Sequence, residues 1–289
     1  MSNSDRVWCI TGASSGFGRA LAQAVIGRGE RVAVGARRRE ALAELAESGG
    51  GRVLALPLDV TDDGARKTAI ASVLETFGRI DVLANIAGRG SLGAVEEFAP
   101  EQLRAQMELN FFAAAELTRE ALPAMRRQGA GHILNLTSIG GLISIGGFGA
   151  YCASKFALEA WSEALADEVA ALGIKVTLVE PGNFRTEFAG DANMRPAAPL
   201  DAYRAIIGPI EEFLYGQNGR QPGDPAKAAE AMIAVVDDPS PPRRLVLGGD
   251  AYDVLDRTMA ARMADIDRYR ALGEATDFVG AEVRRIGAA

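Results

Sequence analysis

The sequence predicts a single α/β domain built on a doubly wound parallel sheet of about seven strands. Three observations carry that prediction. Short β-branched runs alternate with longer Ala/Leu-rich stretches of helical pattern, the mark of repeated strand–helix–strand units. The runs are continuously apolar rather than alternating, as strands covered on both faces must be. The 289 residues are 48% hydrophobic and 24% charged, enough to bury one large core.

Strands are expected near 6–11, 31–36, 53–57, 81–85, 132–137, 175–180 and 245–247. Helical patterns fall between them, most clearly over 18–28, 101–127 and 151–172. In the last of these, Phe156, Leu158, Trp161, Leu165 and Val169 recur at helical spacing and read as a packing face. No repeat, low-complexity tract or linker divides the chain, so 1–289 reads as one dinucleotide-binding and catalytic domain. Two stretches stand apart. The segment 182–222 is long and carries Gly, Pro, Asn, Phe and Met, and it reads as a substrate lid, because a loop of that length seldom only connects. The segment 248–289 is a charged helical extension whose Val254, Leu255, Met259 and Met263 read as a packing face or a subunit contact.

Composition narrows the function. With 31 Lys and Arg against 38 Asp and Glu, the net charge is −7, which argues against a nucleic-acid or anionic-membrane binder, since both need a basic face. One histidine, His132, and two cysteines, Cys9 and Cys152, cannot build a Cys/His zinc cluster or a disulfide scaffold, so no metal is expected. The opening Met1 to Arg6 is short and polar, and no run of about 18 apolar residues occurs, so a cytoplasmic protein is expected. General-base chemistry must rest on His132, carboxylates, Lys or Tyr.

After the first strand comes Thr11-Gly12-Ala13-Ser14-Ser15-Gly16-Phe17-Gly18, opening a helix. Glycines let the backbone turn tightly and approach a pyrophosphate, which the free N–H groups and dipole of the helix start stabilise. The same letters also spell Gly12-x-Ser14-x-Gly16, the nucleophile elbow of α/β hydrolases. That reading needs a histidine in a loop, and His132 begins a strand. At the end of the second strand an acid would bind a free ribose 2′-hydroxyl, whereas arginine pairs with a 2′-phosphate. Arg37, Arg38 and Arg39 stand there, at a helix start whose dipole disfavours them, and they select NADP(H) over NAD(H).

Tyr151-x-x-x-Lys155 puts a phenol and an ammonium on one helix face. The lysine charge favours the phenolate and moves a group of ordinary pKa near 10 toward the working range. Ser138, at the end of a strand and ahead of glycines, is placed to orient a carbonyl oxygen beside Tyr151. Cys152, next to Tyr151, points elsewhere on the helix and reads as a small buried hydrophobe. Phe148, Phe184 and Phe188 border the pocket or pack in the core, and Arg19 faces phosphate or solvent.

At these residues the chain resembles the short-chain dehydrogenase/reductase family, in its non-extended branch, from Thr11 to Thr186. The glycine turn is similar to that family's cofactor turn. Asp59-Val60 resembles the pair at the adenine ring, and Asn85-Ile86-Ala87-Gly88 the segment after the fourth strand, with Ile86 where the family has a second Asn. Pro181-Gly182-x-Phe184-x-Thr186 resembles the segment that contacts the nicotinamide carboxamide. Asn110, Ser138, Tyr151 and Lys155 match the catalytic tetrad.

The resemblance implies a Rossmann-type fold and an NADP(H)-dependent oxidoreductase acting on a carbonyl or alcohol carbon. It also implies roles: Tyr151 exchanges the proton, Lys155 lowers the Tyr151 pKa and binds the nicotinamide ribose, Ser138 polarises the substrate oxygen, and Asn110 kinks its helix and holds a water of a proton relay. The expected partners are a hydrophobic small-molecule substrate and further copies of the chain, as a homodimer or homotetramer. The extension past the last strand departs from many relatives at an edge where one family interface lies. A cofactor-dependent epimerase or isomerase and a non-catalytic NADP-sensing protein are the alternatives on the same fold.

Overall fold

The computed structural model describes residues 5–190 and 193–281. Seven strands form one sheet in the order β3-β2-β1-β4-β5-β6-β7. They are β1 (Val7–Thr11), β2 (Arg31–Ala36), β3 (Val53–Pro57), β4 (Val82–Asn85), β5 (Gly131–Leu136), β6 (Ile174–Pro181) and β7 (Arg244–Leu247). Every adjacent pair is parallel. The chain winds outward from β1 to β3, then restarts beside β1 with β4 and winds the other way. That reversal opens a crevice between β1 and β4 at the carboxyl ends of the strands, where ligands bind in sheets of this kind.

Helices cover both faces: α1 (Gly16–Gly27), α2 (Ala43–Gly49), α3 (Asp63–Phe77), α4 (Pro100–Met107), α5 (Ala113–Gln128), α6 (Gly149–Val169), α7 (Arg204–Gly216), α8 (Pro225–Asp237), α9 (Gly249–Asp267) and α10 (Arg270–Glu274). Alternate residues of β1 serve opposite cores, because strand side chains alternate. Val7 and Cys9 pack with Leu117, Ala121 and Met125 of α5 and Leu165 of α6. Trp8 and Ile10 pack with Leu21 and Val25 of α1 and Met232 and Ile233 of α8. Local chemistry sets the helix ends: Asp62 accepts the Ala65 N–H at 2.6 Å to start α3, and Gly78, at φ 78°, ends it.

Three expectations are modified. The helix predicted over 101–127 is two helices, α4 and α5, joined by a π turn at Glu108–Phe112 that contains Asn110. The apolar stripe of α6 is buried at Leu158, Leu165 and Val169, but Phe156 is 37% exposed, with the Arg262 guanidinium over its ring. The packing face of the extension holds only at its start. Val254, Leu255 and Met259 are half-buried, whereas Met263 and all that follows to residue 281 are exposed. Residues 282–289 of the expected extension lie outside the described residues. Among the described residues no helix is long and apolar enough to cross a membrane.

Candidate active site

The glycine turn between β1 and α1 is shaped by close backbone approaches. Gly12 and Gly16 have φ of 66° and 53°, a region that L side chains rarely occupy. A Cβ at Gly12 would stand 3.0 Å from the Ala87 backbone, and one at Gly18 would run into the Gly12 carbonyl. Thr11 fastens the neighbouring strand end, its Oγ1 accepting the N–H groups of Ile86 and Ala87 at 3.0 and 3.1 Å. The first turn of α1 holds no acidic residue, and Ser15 at its N-cap makes no side-chain capping bond. The helix start therefore presents donors and positive dipole to the crevice, which fits a pyrophosphate. Arg37 and Arg38 are exposed beyond β2. Asp59 is exposed and sits on Thr61, accepting from its N–H at 3.0 Å and its hydroxyl at 2.7 Å. Those bonds, with the Arg37 charge, hold the carboxyl below its usual range. Val60 beside it is buried. Arg19 pairs with Glu44.

On the other side of the crevice, β5 ends and delivers Ser138, whose Oγ accepts the Gly140 N–H at 3.0 Å and stands beside the Tyr151 phenol, drawing its pKa down. A Cβ at Gly140 would crowd the Tyr151 ring at 3.1 Å, so this glycine lets the phenol reach the serine. Tyr151 and Lys155 lie on the buried face of α6, one turn apart, with Lys155 Nζ 5.9 Å from the Tyr151 ring centre. Burial pushes the Tyr151 phenol well above its usual value, against the pull of the Ser138 bond. Lys155 is pushed down to about 8 by burial, opposed by the Glu159 charge, and donates to Leu136 O at 2.7 Å. Burial therefore dominates at the phenol. The site holds a neutral Tyr151 beside a lysine that is charged at neutral pH.

Asn110 projects from the π turn. Its Oδ1 accepts the Arg89 N–H at 3.0 Å, and its Nδ2 donates to Arg89 O and Ser154 Oγ, each at 3.0 Å. A Cβ at Gly88 would meet Asn110 Oδ1 at 3.2 Å and Lys155 Nζ at 3.6 Å, so Asn110 and Lys155 flank that glycine. Asn85 stays inside the sheet, its Nδ2 donating to Thr118 Oγ1 and Asn135 Oδ1 at 2.9 and 2.8 Å.

The segment after β6 closes the crevice. Thr186 lies against Gly16, and the Phe184 and Phe17 rings meet with centres 5.1 Å apart. Phe188 packs edge-on against Tyr151 at 5.3 Å and lies flush on Gly90. Leu92, Ile207 and Ile210 gather at Gly147, which gives this side of the site an apolar wall. Phe148 stands just before α6 as its N-cap. The chain over 193–203 is latched to the loop after β4 by Leu92 N–H to Met194 O, Met194 N–H to Gly90 O, Gln102 with Arg195 and Ala197, and Glu97 accepting the Leu200 N–H at 2.7 Å. Sequence reasoning missed the latch residues, since each joins chain segments about a hundred positions apart.

His132 settles the hydrolase elbow. It lies at the start of β5, paired with Val82 at the start of β4, while the Gly12–Gly16 turn follows the end of β1. The two are separated by the length of the sheet, roughly 15 Å for strands of this size. His132 is buried on Thr177 Oγ1 at 2.9 Å, and burial lowers it to about 4. No Ser–His pair forms at the turn.

A family model described as short chain dehydrogenase matches residues 6–196. The chain belongs to the short-chain dehydrogenase/reductase family. Oxidoreductase BOA17 of Botryotinia fuckeliana is 36% identical over 272 residues, covering 94% of this chain and 99% of that protein. The 3-ketodihydrosphingosine reductase of Bacteroides thetaiotaomicron is 36% identical, covering 83% and 86%. Among solved structures, a short-chain dehydrogenase from Streptomyces avermitilis is 46% identical with a TM-score of 0.90, covering 96% of this chain and all of that one (100%). An alcohol dehydrogenase from Thermococcus sibiricus complexed with 5-hydroxy-NADP is 27% identical with a TM-score of 0.69, covering 84% and 95%. The protein is thus a short-chain dehydrogenase/reductase oxidoreductase on a Rossmann-like seven-stranded parallel sheet.

Proposed function

We propose that this oxidoreductase uses NADP(H) to move a hydride between the nicotinamide and a carbonyl or alcohol carbon of a hydrophobic small molecule, with Tyr151 as its general acid and base. The placing of Ser138 beside the Tyr151 phenol across Gly140, with Lys155 one turn along α6, carries this reading. The bound dinucleotide supplies or accepts the hydride. In reduction the Tyr151 phenol gives its proton to the carbonyl oxygen, and burial keeps that donor loaded at neutral pH. Ser138 donates to the same oxygen, where charge develops in the transition state. Lys155 stabilises the phenolate left behind and holds the nicotinamide ribose. Asn110, across Gly88 from Lys155, carries the relay that returns the proton.

Gly12, Ser14, Ser15, Gly16, Phe17 and Gly18 with the α1 start hold the pyrophosphate. Arg37 and Arg38 pair with the 2′-phosphate, a choice supported by the NADP derivative in the Thermococcus sibiricus enzyme. Asp59 and Val60 border the adenine, Asn85, Ala87 and Gly88 the middle of the cofactor, and Pro181, Gly182, Phe184 and Thr186 the nicotinamide. Residues 182–222 serve as the substrate lid. Leu92, Phe188, Ile207 and Ile210 favour an apolar substrate, and the keto compound in the name of the Bacteroides relative points to a ketone. Exposed Phe112, Phe156 and Met263 support a homodimer or homotetramer, and the free, buried Cys9 and Cys152 support a cytoplasmic setting.

The test follows NADPH absorbance with a panel of hydrophobic ketones and aldehydes. Wild type turns over, and Tyr151→Phe loses about 10³-fold or more in kcat while still binding NADPH. A Tyr151→Phe protein that retains full activity would sink the mechanism. Substrate conversion without net NADPH consumption would point to the epimerase alternative.

A further inference from the structure

Asp250 belongs to none of the motifs above, yet its carboxylate touches the segment that closes the crevice. It stands in the first turn of α9, where the helix dipole favours an acid. Asn183 donates its backbone N–H to Asp250 Oδ2 at 2.8 Å. The carboxylate sits between two glycines: a Cβ at Gly182 would stand 2.7 Å from both of its oxygens, and one at Gly248 would stand 2.6 Å from Oδ1. Any other residue at either position would push the carboxylate away.

The other holds on this segment are of a different kind. Gly182 donates to Leu247 O at 2.9 Å, Gly223 donates to Asn183 O at 3.0 Å, and Arg185 donates to Gly223 O at 2.9 Å. All three are backbone bonds. Ser138 Oγ reaches Pro181 O at 3.5 Å, but Ser138 already serves Tyr151. The Arg185 guanidinium also reaches out of the segment, donating to Gln221 O at 3.3 Å, but the Asp250 bond is shorter, charge-assisted, and made to the backbone of residues 181–186 itself, apart from the proton chemistry. It also ties the C-terminal helix to the crevice.

We propose that Asp250 is a positioning residue for the nicotinamide end of the cofactor, acting through the Asn183 N–H to hold Gly182, Phe184 and Thr186 in place. This rests on the reading of residues 181–186 given under Proposed function. It gives the C-terminal extension a part in cofactor binding rather than in packing alone.

The experiment compares two ligands and one amide. NADPH carries the nicotinamide, whereas adenosine 2′,5′-bisphosphate carries only the adenine and 2′-phosphate end. In Asp250→Ala the Kd for NADPH should rise about tenfold or more, the worth of a hydrogen bond to a charged group, while the Kd for the bisphosphate stays put. Asp250→Asn keeps an acceptor oxygen and should recover most of the loss. In the ligand-free protein, hydrogen exchange at the Asn183 amide should quicken in Asp250→Ala and return toward wild type in Asp250→Asn. Should Asp250→Ala fail to fold, Gly248→Ala, which displaces the carboxylate from a position outside the cofactor set, should show the same ligand-selective loss.

Equal losses for both ligands mean a general structural role and overturn the proposal, as does an unchanged Kd for NADPH or unchanged Asn183 exchange. If wild type prefers NADH, the same comparison runs with NADH against ADP. A wild type that binds neither dinucleotide overturns the oxidoreductase reading and the proposal with it, whereas the Asn183 exchange reports on the contact alone.

Discussion

The sheet and the segment proposed as the substrate lid are packed by different rules. Every residue of β1 is buried, and Trp8, Ile10, Leu83, Ile133 and Leu134 are almost wholly withdrawn from water. In α7 no residue is buried, and Ile206 and Phe213 are 59% and 60% exposed. The chain before it is held by a few hydrogen bonds to Glu97, Gln102 and the loop after β4. The proton chemistry proposed for Ser138, Tyr151 and Lys155 needs fixed distances, and these residues stand on the sheet end and the helix packed to it. An apolar wall that admits and releases a substrate, the role proposed for this segment, tolerates loose packing.

Substitutions can break or sharpen that contrast. Leu134→Ala, at the middle of β5, should cost about 2–5 kcal/mol in denaturant unfolding, because the close-packed core cannot collapse onto the gap. A loss below about 1 kcal/mol would mean that the sheet is packed no better than the lid. Arg37→Asp should lower the preference for NADPH over NADH by roughly tenfold or more, as one charged pairing with the 2′-phosphate is lost and a repulsion added. Unchanged NADPH affinity would remove Arg37 from the site.

The pH profile probes the sheet side. Lys155, lowered to about 8 by burial, is a cation below that value and neutral above it. The kcat/KM should therefore hold through neutral pH and fall as pH rises through about 8, and a profile flat to about pH 10 would deny Lys155 its charged role. The smallest effect is expected in the lid. Phe213→Ala should change stability by about 0.5 kcal/mol or less, as exposed substitutions do. Any effect on turnover should appear in KM for an apolar substrate. A large loss of stability would show that the lid is part of the core.

Much of this was legible in the sequence because it is local. Strands covered on both faces must be apolar throughout, so all seven announced themselves. The glycine turn and the Tyr151–Lys155 pair are short-range patterns whose spacing is itself the geometry. What stayed hidden is long-range. Asp250 in a charged tail looks like any acid at a helix start, and nothing in the sequence says that Asn183, 67 positions earlier, is its partner. Asn85 reads by resemblance as a cofactor residue, and its side-chain bonds to Thr118 and Asn135, on other elements, were equally out of reach of local pattern. The state of the Tyr151 phenol was also beyond reach, since the pattern shows the neighbouring charge but not the depth of burial that opposes it.

The π turn at Glu108–Phe112 has a consequence for phase. An α-helix advances about 100° per residue, so one residue more or fewer rotates everything beyond it by that angle. With the turn in place, α5 keeps Leu117, Ala121 and Met125 on the sheet while α4 keeps Gln106 on Arg89 O and Gln102 on the lid chain. Deleting one residue from the turn would leave α5 seated and swing α4 round by more than a quarter of a circle. The lid chain would lose its Gln102 fastening while the sheet kept its core, and Asn110, at the pivot, would lose Arg89 on one side or Ser154 on the other.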